Sequence, residues 1–122
     1  MGYVIPTKYK SVYVITNTVT NKSYVGVTER RVGVRFHEHL LKLRRGKHRI
    51  EDMQKDFDSY GESSFILRVF GRFEEKLANR LEYSVMDLIN SRNRVHGYNY
   101  KDVKNYKDSI GVSIEYFLKE DA

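Results

Sequence analysis

The chain has no cysteine, a single proline (Pro6) and no apolar run long enough to span a membrane. Without cysteine, disulfides and cysteine-ligated zinc sites are excluded, which suits a reducing cytoplasm. With proline confined to position 6, nothing marks a linker in the interior. The N-terminus lacks the apolar stretch of a signal peptide. Met1-Gly2 opens like a myristoylation signal, but Pro6 stands where that signal requires Ser or Thr. The 122 residues make one domain of ordinary size, long enough for a core without staples. Acidic residues are also scarce in one place. Between Arg30 and Arg49 the only acid is Glu38, against eight basic residues: Arg30, Arg31, Arg35, Lys42, Arg44, Arg45, Lys47 and Arg49. The formal charge of the whole chain is +6, so this segment carries all of the excess. Such a patch is the footprint of a phosphate-backbone binder, or a solvated helix face that aids solubility.

Along the chain, Ser11–Thr16 is β-branched and aromatic and predicts a strand. Residues 17–22 are rich in Asn and Thr and predict a turn. Ser23–Thr28 predicts a second strand, antiparallel to the first in a hairpin, with Tyr24 and Gly26 on one face and Val25 and Val27 on the other. Val32, Phe36, Leu40 and Leu43 form a helical stripe over about 31–45, stopped by Gly46. Ile50, Met53, Phe57 and Tyr60 mark a second helix over about 49–60, ended by Gly61. A third strand follows over 64–73. Residues 74–90 predict the longest helix, with an acidic start and a stripe of Leu77, Leu81, Val85 and Leu88 flanked by Ala78 and Ile89. The expected fold is α/β, a small three-stranded antiparallel sheet flanked by helices in the order β-β-α-α-β-α. Residues 1–10 read as a lead-in and 11–100 as the domain. Residues 101–122 form a tail whose Ile110, Val112 and Ile114 fit a strand, and whose Ile110, Ile114, Phe117 and Leu118 fit a helix.

Some polar residues sit where a stripe should be apolar. Glu82 lies at the border of the last helix's buried face, and a carboxylate there needs a partner or a cation. Pairing with Arg92 or Lys55 would satisfy it as well. Arg35 and His39, at i and i+4, share a face beside the first helical stripe. They could point together at a phosphate, Arg35 through its fork of donors, His39 as donor or proton shuttle. Arg35 could equally pair with Glu38 or Glu29. His37 and His48 are further candidates. No His-Glu-x-x-His, EF-hand loop, close Asp pair, Gly-rich phosphate loop or Ser-His-Asp signature occurs. A metal, if bound, would rest on one carboxylate plus waters and substrate oxygens, which suits Mg²⁺.

Ser11-Val12-Tyr13, ten intervening residues and Tyr24-Val25-Gly26 resemble the paired triplets that name the GIY-YIG nuclease family. Arg35 and His39 resemble the arginine and histidine of that family's first helix. Gly46-Lys47-His48 and Phe57 to Gly61 resemble its second helical region, and Glu82 its glutamate on the last long helix. Gly97-Tyr98-Asn99 resembles the closing triplet of the phage intron-encoded homing endonucleases in this family. The resemblance runs from about Ser11 to Tyr100. Ser11 replaces the first glycine and Val replaces Ile in both triplets, while both tyrosines are kept.

The resemblance implies a metal-dependent DNA endonuclease acting on double-stranded DNA as a monomer or a transient dimer, in a bacterial or phage-infected cell. Glu82 would hold one Mg²⁺ (or Mn²⁺) on the scissile phosphate, and Arg35 would stabilise the transition state. Tyr13 would serve as general base, provided the site lowers a pKa that starts near 10. Tyr24 and His39 would orient water or phosphate, and Asn99 would brace the site. The products would be a 5′-phosphate and a 3′-hydroxyl. Arg30, Arg31, Arg44, Arg45, Lys47, His48 and Arg49 would hold the DNA. Homing enzymes of this family carry a long DNA-binding region beyond the catalytic domain, whereas only a short tail follows Asn99. A restriction or repair nuclease, a catalytically silent DNA-binding module, and a basic face that docks an acidic protein are the alternatives.

Overall fold

The computed structural model describes residues 6–101. Its elements are β1 (Tyr9–Asn17), β2 (Ser23–Thr28), α1 (Val32–Arg44), α2 (Glu51–Tyr60), β3 (Phe65–Glu74) and α3 (Glu75–Ile89), with a single 3₁₀ turn at Glu62–Ser64. The order and type of every element agree with the sequence expectation. The readings made for 1–5 and for the tail from 102 onward lie outside the described residues.

The sheet runs β2-β1-β3 with both pairings antiparallel. The hairpin is closed by Asn17, whose side-chain oxygen accepts from the backbone N–H of Val19 (2.9 Å). Asn21 takes the left-handed conformation that Asn tolerates better than most residues (φ 62°). β1 is the central strand and is buried on both faces, so its side chains serve two cores. Val12 and Val14 face one cluster with Val25, Phe70, Ala78, Leu81, Val85 and Met86. Tyr13 and Ile15 face the other with Tyr24, Leu40, Leu43, Ile50, Met53 and Tyr98. Thus α3 covers one side of the sheet, and α1 and α2 cover the other. Period-2 alternation on β1 assigns the valines to structure and places Tyr13 on the face that carries the chemistry.

Local stops behave as the residue types require. After α1 the N–H of Lys47 bonds the carbonyl of Lys42 (2.9 Å) and that of Gly46 the carbonyl of Leu43 (3.1 Å). This is a Schellman closure, and it turns the chain sharply ahead of His48. The stripes are refined in two places. Tyr60 lies exposed at the end of α2, and Met86 rather than Leu88 is fully buried on α3. A bulge in β3 opposite Val12 and Tyr13 breaks the simple alternation there. It turns Phe70 into the α3-side core and leaves Val69, the direct partner of Tyr13, largely exposed.

Beyond α3 the chain returns to the free edge of β2. Gly97 forms a parallel bridge with Ser23, and the N–H of Tyr98 bonds the Ser23 carbonyl (2.9 Å). A Cβ on Gly97 would fall 2.3 Å from Ser91 Cα. Only glycine permits that approach, because the obstacle is backbone. The Asn99 side chain then pairs with the Val25 backbone in both directions, accepting from its N–H (2.8 Å) and donating to its carbonyl (3.0 Å). An amide side chain thereby does the work of one more strand residue and covers part of the β2 edge.

Candidate active site

The site is assembled by β1, β2, α1 and α3 around the Tyr13 hydroxyl. Tyr13 and Gly26 are direct cross-strand partners, and the tip of the Tyr13 ring lies over Gly26. A Cβ at position 26 would sit 2.5 Å from the hydroxyl oxygen and from the ring carbon that bears it. Gly26 is therefore the seat of the tyrosine. On the neighbouring pair, Ile15 opposes Tyr24. The Tyr24 ring packs 6.4 Å from Tyr13 and 5.1 Å, edge-on, from His39.

From α1, Arg35 and His39 reach the same point, one turn apart. His39 is almost wholly buried, and its Nε2 lies 3.0 Å from the Tyr13 hydroxyl. Arg35 sits beside that hydroxyl with its charge, and at 3.9 Å from Glu38, which also binds Arg30 at 2.7 Å. Arg35 thus borders Glu38, one of the two acids the sequence offered as its partner, and faces the tyrosine. Glu82 is half-buried on α3, close enough for its charge to act on Tyr13.

The Tyr13 pKa stands above its ordinary value. Burial is the largest cause, the neighbouring Tyr24 and Glu82 add to it, and Arg35 opposes it. The sequence expectation that the site lowers this pKa is not met by the protein's own groups. The reason is desolvation, which disfavours the phenolate wherever a tyrosine is buried this deeply. The residues in place fit a hard, water-rich cation. Both ring nitrogens of His39 and of His48 are engaged in hydrogen bonds, which leaves the Glu82 carboxylate as the donor of the kind that Mg²⁺ takes. Among the described residues no group of three or more His, Asp or Glu could hold a metal by itself.

His48 departs from its sequence reading. It was placed on the DNA-binding surface, yet it is buried and stacked on His39, with ring centroids 5.2 Å apart. The turn after α1 folds it inward. Gln54 pins that turn by accepting from the His48 N–H (3.1 Å) and donating to the Leu43 carbonyl (2.9 Å). Among the other basic positions, Arg44 makes a two-pronged pair with Glu62 (2.6 and 2.8 Å) and Arg30 is held by Glu38. Arg31, Arg45 and Lys47 are exposed and form no ion pair among the described residues. Arg49 is exposed at the mouth of the site, its guanidinium 3.5 Å from the Tyr24 hydroxyl. Asn99 makes both of its side-chain bonds to Val25, so it acts on the site through β2. His37 is exposed. Gly26, Gln54 and the inward turn of His48 escaped sequence reasoning. The glycine of the second triplet was visible, but its reason lies on another strand.

The two buried histidines have a measurable consequence. Burial first, then the charges of Arg35, Lys42 and Arg49, lower His39 from 6.5 to about 3 and His48 to about 4. A histidine whose folded pKa is depressed favours the folded state above its unfolded pKa, and that advantage is lost as pH falls toward the folded value. Stability should therefore decline from near pH 6.5 to pH 4, by up to about 1.4 kcal/mol per pH unit for each histidine. Urea unfolding from pH 7.5 to 4.5 checks this. A His39→Gln/His48→Gln double variant should show a flatter profile, and an unchanged slope would count against the buried neutral pair.

A family described as the GIY-YIG catalytic domain matches residues 9–99. No curated protein sequence matches the chain. Two solved structures are similar. A mutant of the catalytic domain of the intron endonuclease I-TevI is 28% identical with a TM-score of 0.67, over 80% of this chain and 99% of that one. The catalytic domain of the homing endonuclease I-TevI is 26% identical with a TM-score of 0.64, over 73% and 95%. The three-stranded sheet, its three helices and the family match over residues 9–99 agree: the chain belongs to the GIY-YIG family and is a nuclease.

Proposed function

We propose that this domain is a DNA endonuclease that nicks one strand at a time with one divalent cation, Mg²⁺ or Mn²⁺, and serves a homing-type role. The observation that carries the reading is the gathering of Tyr24, Arg35 and Glu82 about Tyr13, in a domain whose Arg31, Arg45, Lys47 and Arg49 are exposed. The similar proteins are endonucleases of the intron and homing type, which favours this role over restriction or repair.

Glu82 would hold the cation, which supplies charge neutralisation at the scissile phosphate and at the departing 3′-oxygen. Arg35 presents a fixed fork of donors to the non-bridging oxygens, whose charge grows in the transition state. Tyr13 accepts the proton of the attacking water only after releasing its own to solvent, which its raised pKa disfavours in the free protein. Arg35 favours that loss, and a cation held by Glu82 would add to it. Tyr24 and Arg49 border the same opening and position the phosphate. The cut leaves a 5′-phosphate and a 3′-hydroxyl. One nucleophile at one site makes one nick, so a double-strand break requires two events or a transient dimer.

Supercoiled plasmid incubated with Mg²⁺ at low salt should become nicked circles, and EDTA should abolish this. Plasmid left intact across a range of protein and salt would sink the reading. Affinity should fall steeply with salt because these exposed basic residues would contact phosphates. Reversing Arg31, Arg45 and Lys47 to Glu should weaken binding by at least about tenfold with little loss of stability. Arg44 is left out because it holds Glu62. Unchanged binding in a filter or anisotropy assay would move the DNA surface elsewhere.

A further inference from the structure

We infer that His48 is a positioning residue for catalysis, and that the backbone N–H of Ile50, through His48, fixes which nitrogen of His39 carries its proton. The inference rests on the nuclease reading above and deepens it. It follows from three consecutive hydrogen bonds whose direction is set at one end. The Ile50 N–H lies 3.1 Å from His48 Nδ1. A backbone N–H can only donate, so His48 Nδ1 accepts and carries no proton. The neutral His48 then bears its proton on Nε2, which lies 2.9 Å from His39 Nδ1. His39 Nδ1 therefore accepts, and the His39 proton is on Nε2, 3.0 Å from the Tyr13 hydroxyl. Every link is buried, so water does not compete for the donors or acceptors.

Each alternative leaves a fault in the chain. A doubly protonated His48 would set two N–H groups against each other at Ile50. A doubly protonated His39 would do the same at His48. The Nδ1–H form of His39 would face the His48 proton directly. Gln54 and the glycine turn hold the His48 backbone in the one position that serves this geometry. The burial that depresses both histidines, with the charges of Lys42 and Arg49, keeps them neutral in the same way.

The functional consequence is the role of His39. With Nε2–H donating, His39 cannot take a proton from Tyr13. It supplies a hydrogen bond to the Tyr13 oxygen, and that bond strengthens when the oxygen becomes phenolate. The Tyr13 proton is left on the side away from His39, where the reaction can remove it. His48 touches no substrate. It acts by denying His39 the other tautomer, as an outer-shell partner fixes a metal-bound imidazole.

The test is two-bond ¹H–¹⁵N NMR of ¹⁵N-histidine protein near neutral pH without DNA, with His48→Glu and His48→Gln alongside. The wild type should show both rings protonated at Nε2. His48→Glu offers only acceptors, so His39 should switch to the Nδ1–H form. Its kcat should fall by about 10–100-fold, with DNA affinity little changed. His48→Gln restores an N–H toward His39 and should recover most of what Glu loses. An Nδ1–H His39 in the wild type overturns the inference, as does equal loss of kcat in Glu and Gln variants of equal stability. If His48→Glu does not fold, the wild-type spectrum decides alone. Because the spectrum is recorded without DNA or cleavage, failure of the nuclease reading and failure of the relay are told apart.

Discussion

Glu82→Gln is expected to reduce plasmid nicking by about 10³-fold or more, the scale of a cation's several kcal/mol of transition-state stabilisation, while DNA binding stays close to wild type. The substitution keeps size and hydrogen-bonding shape and removes one negative charge. That charge raises the Tyr13 pKa. Its loss therefore eases deprotonation of Tyr13, and a fall in activity cannot be charged to the tyrosine. A fall in activity with the fold intact therefore points to the loss of the group that would hold the cation. Arg35→Ala should also stop cleavage, by about 10²–10³-fold, for the opposite electrostatic reason. It removes phosphate donors, and it removes the charge that lowers Tyr13. Single-turnover nicking with each variant, beside binding measured in EDTA, separates the two. If Glu82→Gln cuts as fast as the wild type, Glu82 is an edge carboxylate and the cation reading fails.

Gly26→Ala should reduce kcat by about 10²-fold or more without removing any polar group, since misplacing a reacting atom by about 1 Å costs that much. The new methyl would lie 2.5 Å from the Tyr13 hydroxyl. The phenol cannot swing clear, because it is buried and held at its tip by His39. It must shift, stretching the His39 bond and opening its approach to Arg35. The cost in stability should be about 1–3 kcal/mol, as for other overpacked cores. Denaturant unfolding and single-turnover cleavage on the same variant decide it. Equal loss in Tyr13→Phe and in the double variant would tie the glycine's effect to the tyrosine. Full activity in Gly26→Ala would mean that the seat is not needed.

Much of the fold was legible because its signals are local. The Asn17 turn, the alternation of β2, the Gly46 stop and the α3 stripe each follow from neighbouring residues. The burial of Phe70 and the exposure of Val69 were not legible, because a bulge is a property of pairing, and β1 and β3 meet only in the folded sheet. His48 was taken for one more basic residue in a basic run, because charge patterning cannot register an inward turn. Nor does charge patterning register that Glu62 pairs with Arg44 and Glu38 with Arg30.

By itself the sequence determined the elements, their order and the family, and it singled out Tyr13, Tyr24, Arg35 and Glu82 as the candidate groups. Those rest on residue type and spacing, which survive without coordinates. Only the tertiary structure decided that Gly26 seats Tyr13, that Asn99 works through the Val25 backbone, and that His48 belongs to the site. It also showed that the protein's own groups raise the Tyr13 pKa. Each of these depends on which surfaces exclude water and which atoms meet across strands and helices, and such facts come into being only when the chain closes on itself.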